Sequence, residues 1–174
     1  MPLDLILPLG ILMALGAWTL IFAWYIHPRL RDKPFAEAIR PLLLLHTFRY
    51  IGLLFLIPGV TAEVLDTRFS WPAAYGDLVA AVLAFAALGA LRLQPRWAIG
   101  AVAFFNVFGF ADLLNAVARG LAFNSDGGLG ATIWIPAVAV PLLLVSHVYI
   151  FGRVYREIQA RHSDAARLTP AAGT

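Results

Sequence analysis

Six ionisable or amide side chains and one phenol sit inside stretches of chain that are otherwise apolar. They are the residues here whose types could do chemistry. His46, Arg49 and Tyr50 fall within one such stretch, spaced three and four apart, which places them on one face of a helix. Asn106, Asp112 and Asn115 fall within another. Asp112 and Asn115 share a face, with Asn106 turned a third of a turn or more away. His147 follows Ser146 in a third stretch. A guanidinium can anchor an anionic or polar ligand, and a carboxylate can serve as its counter-ion or carry a proton. Two imidazoles can relay protons near neutral pH.

These stretches are long enough to explain why polar groups inside them are costly. The chain has 174 residues, 61% hydrophobic and 13% charged, and its mean hydropathy is +0.80. Soluble domains carry about a quarter charged residues, so most of this surface must face lipid. The pattern predicts an all-α integral membrane bundle of about five transmembrane helices, forming one domain over residues 1–174. The spans are expected at about 5–25, 41–60, 71–93, 97–117 and 133–155, with Pro41 and Pro72 in first turns. The first is too long for a signal-peptide core, and its positive charges follow it, so it reads as a retained helix. The third is rich in alanine, as close-packed membrane helices are. Residues 120–130 read as a flexible loop, and the tail from about residue 162 as disordered.

Net charge is +3 and the isoelectric point about 9.7, but the basic residues lie between spans. Arg29, Arg31, Lys33 and Arg40 follow the first span, Arg92 and Arg96 the third, and Arg153, Arg156, Arg161 and Arg167 the fifth. The alternate loops hold Glu63, Asp66, Arg68, Arg119 and Asp126. The positive-inside rule then sets the N-terminus outside and the C-terminus in the cytoplasm. This distribution argues against nucleic acid as a partner. Cysteine is absent, which removes disulfides, thiolate metal sites and cysteine nucleophiles, and no metal site is expected. Neither H-E-x-x-H nor G-x-S-x-G occurs.

In this topology the second helix runs away from the cytoplasm and the fifth runs back to it. His46 and His147 therefore fall at similar depth, with Arg49 and Asn106 slightly deeper, while Asp112 and Asn115 lie in the outer half. Asp77, near the outer end of the third span, reads as a solvated or capping residue. Either histidine alone is as readily a packing residue, and Arg49 with Asp112 as readily a structural pair. Together the groups suggest a polar cavity, because intramembrane ionisable groups face the interior or water. Pro136 and Pro141 free backbone carbonyls in the fifth span, as helices beside cavities often do.

The strings His46-Thr-Phe-Arg49-Tyr50-Ile-Gly52, Leu56-Ile-Pro58-Gly59, Pro72-Ala-Ala-Tyr75-Gly76-Asp77, Asp112-Leu-Leu-Asn115 and Pro141-Leu-Leu-Leu-Val-Ser-His147 resemble those of small bacterial multi-pass membrane proteins with no assigned activity. The resemblance covers the second to fifth spans. It implies a bacterial cytoplasmic (inner) membrane location and no mechanism.

The leading expectation is a membrane protein whose intramembrane pocket binds or translocates a small polar or anionic ligand or protons, through His46, Arg49, Tyr50, Asn106, Asp112, Asn115 and His147. A second is electron transfer by a b-type haem held by His46 and His147, with Arg49 near a propionate. A third is an intramembrane enzyme acting on a lipid or isoprenoid with Asp112 and His147 as acid and base. A fourth is an accessory subunit, whether in a homo-oligomer or beside a membrane partner, whose polar groups serve assembly.

Overall fold

The computed structural model describes residues 5–62, 64–93, 95–123 and 128–168. Glu63, Asp126 and the last six residues of the tail, each part of an expectation above, lie outside the described residues. Among those described, helix is the only regular structure apart from a single bridge between Pro58 and Thr61. Five helices are long and apolar enough to cross a membrane.

Helix α1 is Ile6–Leu30. It continues past the expected end at Tyr25 because a π-helical turn, Phe22–Ile26, reaches across to Pro28, whose missing N–H would otherwise break the ladder. Helix α2 is Phe35–Leu56, α-helical to Thr47 and 3-10 from Phe48. It starts after Pro34, so Pro41 lies within the helix and not in its first turn. Helix α3 is Thr67–Leu93. Asp66 opens it by accepting the Arg68 N–H at 2.8 Å, and Pro72 consequently falls inside. The Arg68 side-chain hydrogen bond lowers the Asp66 carboxyl to about 2, so this cap keeps its charge. Helix α4 is Pro95–Ala122. Helix α5 opens with a 3-10 turn, Gly130–Ile133, and a π-helical turn, Ile135–Ala139, around Pro136. It then runs as α-helix over Val140–Leu168, through the start of the tail segment expected to be disordered.

Helix α3 is central, packing on α4 and on both halves of α2, while α5 lies against α4 and α2. Alanine makes that position possible. Ala73, Ala74, Ala80, Ala81, Ala84 and Ala87 are all buried, and a row of methyl groups lets neighbouring backbones approach closely. Helix α1 packs on α5 from outside and buries only Phe22. One apolar core lies toward the arginine-rich end, around Leu43, Ala84, Phe105 and Ile150. A second lies toward the opposite end, around Phe55, Phe69 and Leu129. Arg153 ties α5 to the α1–α2 turn by donating to the carbonyls of Arg31 and Lys33, both at 2.7 Å. Outside this packing the helices present bare apolar side chains, among them Met13, Val82, Phe85, Phe104 and Val148. An apolar girdle of this extent suits lipid as its solvent.

The central helix yields a direct check. Ala84 is fully buried and Val82, two residues away, faces outward. Ala84→Leu should destabilise the bundle by about 1–3 kcal/mol through overpacking, measured by unfolding in mixed micelles. Val82→Leu should leave the midpoint unchanged.

Candidate functional site

The 3-10 half of α2 sets the geometry of the site. With three residues per turn, side chains at i, i+3 and i+6 line up, and Arg49, Gly52 and Phe55 are its buried residues. The same geometry carries Tyr50 away from that face. It is 49% exposed and lies beside Phe48, at 6.3 Å between ring centroids. Placing Tyr50 with Arg49 assumed α-helical spacing, which ends at Thr47.

Arg49 has a side chain with 0% exposure, held from two other helices. Its Nε donates to Asp77 Oδ1 on α3 at 2.7 Å, and its Nη2 donates to Asp112 Oδ2 on α4 at 2.6 Å. Its Nη1 donates to the Gly109 carbonyl at 2.9 Å. The anticipated pairing of Arg49 with Asp112 is thus present, and Asp77 joins it. Asp77 is buried, not a solvated cap, because α3 begins four residues earlier than expected and so carries it deeper.

Three glycines make room for this centre. A Cβ at Gly52 would collide with the Asp77 carboxyl, and one at Gly76 with the Asp112 carboxyl. A Cβ at Gly109 would stand 2.8 Å from both Arg49 Nη1 and His147 Cε1. A glycine inside a helix costs about 0.8–1.0 kcal/mol relative to alanine. Gly52, Gly76 and Gly109 were the signal in the sequence that side chains from neighbouring helices enter here.

On the other side of Gly109 the two histidines meet, with ring centroids 4.2 Å apart and both side chains fully buried. Their surroundings set the tautomers. The Ser146 hydroxyl lies 2.8 Å from both the Leu143 carbonyl and His46 Nε2. A proton on His46 Nδ1 would be a buried donor without a partner among the described residues, which favours a proton on Nε2, with the hydroxyl donating to the carbonyl. The Asn106 amide donates to the His147 carbonyl at 3.1 Å, so its oxygen accepts from His147 Nδ1 at 2.7 Å. The remaining ring nitrogens, His46 Nδ1 and His147 Nε2, are buried and have no hydrogen-bond partner among the described residues. The rings touch, which leaves no width for a porphyrin plane between them.

Of the seven residues expected at a site, His46, Arg49, Asn106, Asp112 and His147 come together. Tyr50 does not, and neither does Asn115, which is exposed and accepts from Arg119 Nε at 3.0 Å. The polar groups largely satisfy one another and do not line an open polar chamber. The open space lies beside them, as a cavity of about 470 Å³ lined by residues of all five helices. Among the described residues its lining side chains are apolar apart from Asp77, and Pro136 is one of them. Among the described residues no group of three or more His, Asp or Glu side chains could hold a metal ion.

Fold and centre together define a small helical bundle built round one buried arginine and two aspartates. The chain belongs to the family described as a domain of unknown function (DUF8737), which matches residues 6–155. No curated protein and no solved structure matches the chain.

Removing Arg49 alone would leave two buried carboxylates facing each other. Arg49→Ala should therefore cost about 3–5 kcal/mol of stability, read in the same unfolding assay. Adding Asp77→Asn and Asp112→Asn to that variant should recover a large part of the loss. An Arg49→Ala protein as stable as the parent would mean that the centre contributes nothing to packing.

Proposed function

We propose that the chain is an integral membrane protein of five spans that binds protons at the Arg49–Asp77–Asp112 centre and passes them by way of His147 and His46. In this reading its N-terminus lies outside and its C-terminus in the cytoplasm, in the inner membrane of a bacterium. The observation that carries the proposal is a charge count. One buried guanidinium faces two carboxylates at 2.7 and 2.6 Å, so the centre holds one negative charge too many. An uncompensated charge within a bilayer costs several kcal/mol, and a single proton cancels it.

The neighbouring histidines support the same reading. Gly109 separates Arg49 from His147 by little more than the space of one methyl group, and His147 touches His46. Two bare ring nitrogens next to a centre that lacks a proton form a short series of acceptors. Since Arg49 is already bound by two carboxylates, a proton fits this site better than an anion does. Orientation rests on the basic residues. Arg29, Arg31, Lys33, Arg92, Arg96 and Arg153 gather at one end of the bundle, where cytoplasmic loops carry their excess. The bacterial location rests on the resemblance of the α2–α5 strings.

Two measurements test the proposal. Infrared difference spectra between acid and alkaline pH should show a protonated carboxyl band that Asp77→Asn or Asp112→Asn removes. In liposomes holding a pH-sensitive dye, a potassium diffusion potential should drive proton flux through the parent protein. Asp112→Asn should lower that flux by about a hundredfold or more, and His147→Ala should slow it. Identical spectra and fluxes in both aspartate variants would overturn the reading.

A further inference from the structure

The apolar cavity and the charge deficit share a residue. Asp77 gives Oδ1 to Arg49, which is the only hydrogen bond its carboxylate makes among the described residues, and it is also the one charged side chain lining the cavity. At about 470 Å³ the space lies within the range of small-molecule sites, about 300–1,000 Å³. Phe55 and Phe69 line it as well, their rings edge to face with centroids 5.3 Å apart. Leu113, Val117 and Ile135 complete a greasy wall.

We infer that this cavity binds a lipophilic organic cation, which takes the place of the proton at the Asp77 end of the centre. The inference rests on the proton-binding reading, because it is the same surplus negative charge that either occupant neutralises. Three features favour a cation over a neutral lipid. The centre has one carboxylate more than its arginine can balance. Aromatic faces attract cations and offer a neutral alcohol nothing comparable. Among the described residues the walls hold no second polar side chain for the hydroxyls or carbonyls of a lipid headgroup to bond. Size and apolarity then exclude metal ions and small hydrated amines. Helix α1 forms the outer wall with Leu7 and Ile11, and since it buries only Phe22 it is the wall that a ligand in the bilayer meets first.

Proton and cation compete for one negative charge, so binding must depend on pH. Tetraphenylphosphonium is the probe, with tetraphenylborate as the anion of matching shape. Binding to the purified full chain is measured by equilibrium dialysis at pH 8.5 and at pH 5.5. The expected result is tetraphenylphosphonium bound at the higher pH, at least about tenfold weaker binding at the lower, and no comparable binding of tetraphenylborate. Asp77→Asn should abolish binding, and Phe69→Ala should weaken it about tenfold. Ile11→Trp, which fills the cavity from α1, a helix that gives no group to the ionic centre, should block the cation and leave the infrared carboxyl band in place.

Equal binding of the two ions, or tetraphenylphosphonium binding that survives Ile11→Trp, would overturn the inference. So would a tightly held neutral lipid that the cation fails to displace. A carboxyl band without any cation binding would end this inference alone. Absence of the band would remove the proton-binding reading on which it rests.

Discussion

A guanidinium taken out of water needs acceptors for its N–H groups and a negative charge to balance its own. Arg49 obtains both from α3 and α4, through Asp77, Asp112 and the carbonyl of Gly109. Each partner comes from a different turn or helix, so the centre can form only when α2, α3 and α4 are already in register. Conversely, a slip of any one of them would leave a buried charge unpaired, at a cost of several kcal/mol. The apolar contacts between these helices are interchangeable in kind. The ionic centre is not, and it selects one register from the many that alanine-rich surfaces would tolerate.

Small residues make that selection possible. The carboxylates of Asp77 and Asp112 occupy volume that side chains at Gly52 and Gly76 would fill, and Gly109 lets Arg49 and His147 stand on either side of one backbone position. Helix α3 contributes alanine along most of its buried face, bringing α2 and α4 close enough for a single arginine to reach both. The 3-10 winding of Phe48–Leu56 then aligns Arg49 with Gly52 and Phe55, so the arginine, the cleared space beside it and an aromatic wall of the cavity follow from one change in helical pitch.

That change in pitch also explains what the sequence could and could not reveal. The five helices were legible because twenty-residue apolar stretches have one common solution. The similar depth of His46 and His147 was legible too, since alternating helix direction and rise per residue set it, but the contact between their rings was not. Tyr50 was misplaced because apolar periodicity does not distinguish 3.0 from 3.6 residues per turn over so short a segment. Asp77 was misread because Pro72 looked like a first-turn proline, whereas Asp66 and Arg68 begin the helix earlier and carry Asp77 inward. Asn115 lies three residues from Asp112 yet faces Arg119 at the exposed end of α4, a distinction that spacing alone does not draw. The expected polar chamber became a packed network because the groups complement one another, a property of three helices that no single helix encodes.

The second aspartate is the feature that packing does not explain. A lone Arg49–Asp112 pair would be neutral and would hold α2 to α4, and a neutral hydrogen-bonding side chain at position 77 could complete the guanidinium's shell without adding charge. A carboxylate there brings a desolvation cost and leaves the centre with unmatched charge beside an apolar space. On the proposed reading, that surplus charge is the reason a proton is taken up here. A second basic side chain would have balanced it permanently, and among the described residues only Arg49 pairs with these carboxylates. An arginine balanced by one carboxylate is a clasp. Faced by two, it carries a surplus charge, and that surplus is what the proposed proton would neutralise.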